Sequence, residues 1–382
     1  MSKDSEMMQM SMTKIGDARD ILKHHLEALW NNPTLATDLP PIMLWGPPGI
    51  GKSTVIRELT EELDIGFIDV RLAQREPVDI RGLPVPREDR QGVDWIVSSE
   101  WPREGQEGFK PRGIILFDEI TAADPSLQVA AYEFILDRRL GMLYNVPDGW
   151  YIIAAGNRTK DGAVARAMSS ALANRFCHLE LRSDAKSWTD WAWMKEIHPS
   201  VIGFIRFRPD LLFNMNGDRE RGWPSPRTWA RVSLEMQLAE ESGLSDNALA
   251  NIIEGLIGTG TALEFQGYMR WTEQLPDIAR ILRGEDPVEI PVRSDQCFGL
   301  ISAMVHHVLE TEDIKEVVNG IFDVLLKLSN DWAQVAYHDL ELTLAARGRF
   351  DDLVLIKTHD SHEEIENKLL YGLDSATVEA GE

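Results

Sequence analysis

Eight consecutive residues, Gly46-Pro47-Pro48-Gly49-Ile50-Gly51-Lys52-Ser53, place glycines, a lysine and a hydroxyl at the spacing a phosphate cradle needs. Glycines let backbone N–H groups close on phosphate oxygens, and a helix that starts there adds the positive end of its dipole. In such a loop Lys52 reaches the β- and γ-phosphates, and Ser53, directly after the lysine, ligates Mg2+. Thr54 is the next hydroxyl and counts among the residues around the nucleotide, but not as the metal ligand. A glycine-rich turn that merely joins a strand to a helix is the competing reading, weakened by the correct flanks on both sides.

Downstream, Ile114-Ile115-Leu116-Phe117-Asp118-Glu119 sets two adjacent carboxylates at the carboxyl end of an apolar run, the edge at which open parallel sheets bind ligands. Asp118 suits Mg2+ or its waters and Glu119 the polarisation of an attacking water, because positioning and electrostatics dominate phosphoryl transfer. Ala154-Ala155-Gly156-Asn157-Arg158 ends the next apolar run in an amide. Asn157 could hold the lytic water, although an Asn after a strand also serves simply as a turn residue. Ser170-Ala171-Leu172-Ala173-Asn174-Arg175-Phe176 follows, and by itself Arg175 reads as a capping or solvated side chain.

The elements that must position these groups are legible from periodicity. Ile42–Trp45, Gly66–Arg71, Ile114–Phe117 and Tyr151–Ala155 are strand-like, and Ser53–Leu63 and Ser126–Leu136 have helical spacing, which predicts a parallel sheet covered by helices. A helix is expected from Asp17 to Trp30, with the first residues frayed. The stretch from Glu76 to Gly113 reads as a long irregular loop with a strand at Asp94–Val97, and a hairpin turns near Arg138–Leu143. From Ser183 onward helical periodicity dominates, and His359–Glu382 reads as a weakly ordered acidic tail. The predicted layout is a flexible N-terminus (1–15), a nucleotide-binding αβα domain (16–182), a helical lid (183–290), a helical C-terminal extension (291–358) and the tail (359–382).

Composition bounds the function. At 382 residues with 43% hydrophobic and 26% charged, the chain can form two or three globular domains. No apolar run approaches membrane-spanning length and the N-terminus lacks a signal-peptide pattern, so the expected location is the cytoplasm, without membrane insertion. A formal net charge of −23 repels a phosphate backbone and argues against nucleic acid as the main partner. Cys177 and Cys297 lack partners at metal or disulfide spacing and are expected to be reduced core residues. The pairs His24-His25 and His306-His307 read as structural, and Trp188, Trp191 and Trp193 as lid core rather than a ligand cage.

Taken together, the loop at 46–53, Leu-Phe-Asp-Glu-Ile at 116–120, Gly-Asn at 156–157, Leu-Ala-Asn-Arg-Phe at 172–176 and Pro-Ser-Pro-Arg at 224–227 resemble the successive motifs of AAA+ ATPases, and within them those of the MoxR group. The likeness spans about residues 15–235. It implies an α/β fold, the AAA+ αβα sandwich with a parallel sheet, followed by an all-α lid. It further implies that Asn157 is the sensor-1 residue and that Arg175 is an arginine finger for the nucleotide of a neighbouring subunit. Arg227 falls at the sensor-2 position on a lid helix, where a surface Arg in a first helical turn is the competing reading. By the same resemblance, 79–101 is the helix-2 insert and 138–150 the pre-sensor-1 hairpin, elements that face a pore or substrate in related machines; solvated loops are the plainer alternative.

The expectation is therefore a Mg2+-dependent ATPase that binds ATP and forms a homo-oligomeric ring, a hexamer by resemblance. It would remodel or mature a protein client, with a von Willebrand factor A domain adaptor. A helicase-type nucleic-acid motor and a nucleotide-gated binding module with negligible turnover are the alternatives.

Overall fold

The computed structural model describes residues 12–158, 166, 168, 170–215, 222–272 and 277–378; the frayed start expected over the first residues lies largely outside them. The chain divides into two compact units, Met1–Ser183 and Asp184–Glu382.

In the first unit the elements run β1 (Thr13–Lys14), α1 (Ile15–Asn31), β2 (Ile42–Trp45), α2 (Lys52–Glu62), β3 (Gly66–Arg71), α3 (Pro77–Arg81), β4 (Leu83–Pro86), β5 (Val93–Ile96), β6 (Gly113–Asp118), α4 (Pro125–Asp137), β7 (Arg139–Leu140), β8 (Tyr144–Asn145), β9 (Trp150–Gly156), α5 (Ser170–Ala173) and β10 (Cys177–Arg182). Six strands form one sheet in the order β1-β10-β2-β9-β6-β3, every pair parallel. The apolar runs of β2, β6 and β9 are buried almost throughout because the sheet is covered on both faces. From β2 the chain goes out to the edge strand β3, returns through β6 and β9, and crosses to β10 on the other side of β2. The carboxyl end of β2, between β9 and β10, is therefore the point where connections diverge and a crevice opens.

The segment 76–113 is not the irregular loop its composition suggests. It holds the short helix α3, the antiparallel hairpin β4–β5, and Trp101, which is wholly buried with its ring centre 4.5 Å from that of Phe134 on α4. Tyr144 of the second hairpin donates its hydroxyl to the Pro102 carbonyl at 3.0 Å, so both insertions are tied to one aromatic core that also contains Phe117. The strand expected at 94–97 is shifted by one residue and pairs within its own hairpin, apart from the main sheet.

The second unit contains α6 (Ala185–Met194), α7 (Pro199–Phe207), α8 (Pro226–Ser242), α9 (Asp246–Ile257), α10 (Thr259–Thr272), α11 (Ile278–Leu282), α12 (Ser294–Glu310), α13 (Val318–Lys327), α14 (Asn330–Ala346), α15 (Phe350–Lys357) and α16 (His362–Val378). One apolar core joins them, from Trp188 to Ile365, so the division expected at 290 does not interrupt the packing. Trp188 and Trp193 lie in that core. Arg206 of α7 forms a two-pronged pair with the fully buried Asp339 of α14, fixing early helices to late ones. The acidic end departs from the expected loose tail. It forms α16, which buries Ile365 and donates the Lys368 ammonium to the Leu326 carbonyl at 2.5 Å, because one apolar stripe suffices to dock a polar helix. Cys297 is buried as expected, whereas Cys177, opening β10, is half-buried; both are free thiols.

Candidate nucleotide-binding site

The loop from Gly46 to Gly51 links β2 to α2, and α2 begins at Lys52 itself. Gly49 and Gly51 take φ of 85° and 105°, conformations that a side chain would strain. The Lys52 ammonium donates to the carbonyls of Gly46 at 2.6 Å and Pro47 at 3.0 Å and to the Asn157 Oδ1 at 2.9 Å. With its side chain largely buried, this cation at the mouth of a glycine loop fits an anionic phosphate.

Ser53 Oγ donates to Asp118 Oδ2 at 2.5 Å, which brings a hydroxyl of α2 to the carboxylate ending β6. Two oxygen ligands at one point, a hydroxyl and a carboxylate, fit the oxygen-ligand chemistry of a Mg2+ ion. Glu119 follows in a left-handed conformation, φ 55°, uncommon for a residue with a side chain and costing about 1 kcal/mol. The bend is held by its own N–H on Asp118 Oδ1 at 2.8 Å and by Ile120 N–H on the Ala155 carbonyl at 3.1 Å, and it leaves Glu119 exposed beside the crevice.

Thr121 is a site residue that motif reasoning missed. Its buried hydroxyl accepts from the Asn157 N–H at 3.1 Å and donates to the Asn157 carbonyl at 3.0 Å, clamping that residue by both backbone atoms. A Cβ on Gly156 would lie 2.8 Å from the Thr121 methyl, so the clamp also requires the glycine before Asn157. Asp69 of β3, 3.6 Å from Arg57, adds negative charge beside Asp118; burial first, and the Asp118 carboxylate second, push its carboxyl above the ordinary range.

Lys52 with Asn157 and Ser53 with Asp118 are thus two directly hydrogen-bonded pairs, set side by side by the Lys52–Ser53 peptide, with Glu119 adjacent. Arg175 is elsewhere. It lies on the turn before β10, whose first residue Cys177 pairs with Ile42 at the amino end of β2, and it lines a cavity of about 260 Å3 with Pro40, Pro41 and Arg138. The phosphate loop leaves the opposite end of β2, so the length of the strand, about 13 Å, separates them. Arg227 belongs to the second unit, where it is exposed in the first turn of α8 behind a Ser225–Thr228 capping box. Arg138, in the hairpin, is nine-tenths buried with its guanidinium donating to the Pro147 carbonyl at 3.0 Å; burial lowers its pKa from the ordinary value.

Residues 41–176 match the family model of the AAA domain of the dynein-related subfamily, so this stretch is an AAA domain, an ATP- and Mg2+-using ATPase domain. No curated protein matches the sequence. Among solved structures, a candidate ATPase from Cytophaga hutchinsonii is 16% identical with a TM-score of 0.31, over 56% of this chain and 58% of that one. A RuvB variant from Thermotoga maritima is 17% identical with a TM-score of 0.36, over 72% of this chain and 82% of that one. NtrX from Brucella abortus, in complex with ADP, is 16% identical with a TM-score of 0.34, over 87% of this chain and 68% of that one. These likenesses carry no functional weight of their own.

Proposed function

We propose that the chain is a Mg2+-dependent ATPase of the MoxR type, that it works as a homo-oligomeric ring, a hexamer, and that it remodels or matures a protein client, with a von Willebrand factor A domain protein as adaptor. The observation that carries the hydrolytic part is the hydrogen-bonded set Lys52–Asn157 and Ser53–Asp118 at the carboxyl edge of β2, β6 and β9.

In this reading Gly46, Pro47, Pro48, Gly49, Ile50 and Gly51 wrap the phosphates with backbone N–H groups, Thr54 lies beside them, and Lys52 exchanges carbonyl acceptors for phosphate oxygens. Ser53 and Asp118 would hold the metal. The chemistry Mg2+ would supply when bound there is neutralisation of phosphate charge. Glu119, exposed and held by its bend, takes a proton from the attacking water, and Asn157 orients that water while releasing Lys52. Arg175 serves the γ-phosphate of a neighbouring subunit, because its own loop lies at the far edge of the sheet. Arg227 contributes a guanidinium from the helical unit. The MoxR assignment and the adaptor rest on motif resemblance.

The test is complementation. Arg175→Ala and Glu119→Gln should each bind ATP yet hydrolyse it at least about a hundredfold more slowly than the native chain. Mixing the two should restore turnover, because one variant keeps the arginine and the other keeps the carboxylate. Mixtures that stay inactive at every ratio would remove the case for hydrolysis across an interface.

A further inference from the structure

His178 of β10 stands on the protein surface, yet both of its ring nitrogens are engaged. The Trp45 indole N–H donates to Nδ1 at 2.8 Å, so the ring proton resides on Nε2, which donates to the Ala173 carbonyl at 2.7 Å. The two rings are nearly parallel, 19° apart with centres at 5.9 Å, the disposition of an edge-to-edge hydrogen bond. What lies at each end gives the bridge its meaning. Trp45 is the last residue of β2, immediately before Gly46, and the guanidinium of Arg158, the residue after Asn157, lies 5.7 Å from the centre of an indole ring. Ala173 opens the turn Ala173-Asn174-Arg175-Phe176, which is closed by Phe176 N–H on the same Ala173 carbonyl at 3.3 Å. Arg175 is the third residue of that turn, so the carbonyl that His178 grips is the anchor of the loop that aims the arginine.

We propose that His178 is a positioning residue for Arg175, tying the arginine turn to the first residue before the phosphate loop of the same chain. The inference rests on Arg175 acting on a neighbouring subunit's nucleotide. A shift of Gly46 on nucleotide binding reaches Trp45 through the peptide bond that joins them, and one of Asn157 reaches it through the flanking Gly156, which pairs with Trp45, and Arg158; His178 transmits it to the turn at the amino end of β10. Each subunit's own site thereby sets the aim of the arginine it lends.

The experiment assigns the two roles to different subunits. Donor subunits carry Glu119→Gln and offer an arginine; acceptor subunits carry Arg175→Ala and offer an intact site. With the parent mixture active, His178→Ala added to the donors should lower kcat about tenfold with the KM for ATP unchanged, as a misplaced catalytic group does. The same substitution added to the acceptors should leave the rate as it was. Trp45→Phe in the donors, which keeps an aromatic side chain but removes the pyrrole ring with its N–H, should reproduce the donor-side loss. Equal losses on both sides, or no loss on either, overturn the bridge as a positioning device. A parent mixture without turnover removes the reading of Arg175 itself, and the bridge with it.

Discussion

Thr121 gives Asn157 a fixed backbone, and the Asn157 amide in turn holds Lys52. Thr121→Val keeps the shape of that side chain and deletes both hydrogen bonds. It should cost about 1–3 kcal/mol in the clamp and lower kcat about tenfold with little change in KM, measured by steady-state ATP turnover. Lys52→Ala should abolish tight nucleotide binding in a fluorescent-nucleotide titration, whereas Glu119→Gln should leave that binding intact. The phosphate loop and the Asp118-Glu119 pair were legible in the sequence because one short contiguous run supplies all their atoms. Thr121 and His178 were not, since each acts on a partner from another strand and only the sheet order brings them together. The left-handed bend at Glu119 was equally hidden, as nothing in Asp-Glu-Ile-Thr encodes a positive φ.

At the level of elements, helix α7 begins with an unusual cap. His198 Nδ1 accepts from the Ser200 N–H at 3.2 Å and Nε2 donates to Glu240 at 3.1 Å, and burial lowers the pKa of this imidazole against the pull of Glu240 and with a small contribution from His306. The folded chain takes up the proton less readily than the unfolded one, so the stabilisation is complete above about pH 6.5 and declines as pH falls through that value toward the lower folded one. Protonation would also place a hydrogen on the nitrogen that caps the helix. The thermal midpoint of the native chain should therefore fall between pH 7 and pH 5, and His198→Asn, which keeps a capping acceptor without titrating, should flatten that slope. Strand and helix positions near the site followed from periodicity within a residue or two, because buried parallel strands are plain apolar runs. The 76–113 segment did not, since its order depends on two widely separated buried side chains, Ile80 and Trp101, and on a hairpin whose residues are mostly exposed. The terminal helix α16 was obscured by its acidity, which masks the stripe through Ile365.

For the molecule as a whole, charge and burial set the remaining expectations. Asp339→Ala would strand Arg206 in the interior of the helical unit and should cost about 3–5 kcal/mol in denaturant unfolding. A net charge of −23 and the burial of Arg138, which leaves only Arg139 of that pair exposed, argue against a single-stranded nucleic acid ligand. Added single-stranded DNA should leave ATP turnover within about twofold of its basal rate, and strong stimulation lost on Arg139→Ala would favour the nucleic-acid motor instead. The phosphate loop and the arginine turn stand at opposite ends of β2 and β10. On the proposed role of Arg175, a lone chain would hold a site that only a neighbour completes, so its fuel consumption should rise with the square of its own concentration at high dilution. Scarcity alone would then keep unassembled copies from wasting ATP, with no inhibitor required.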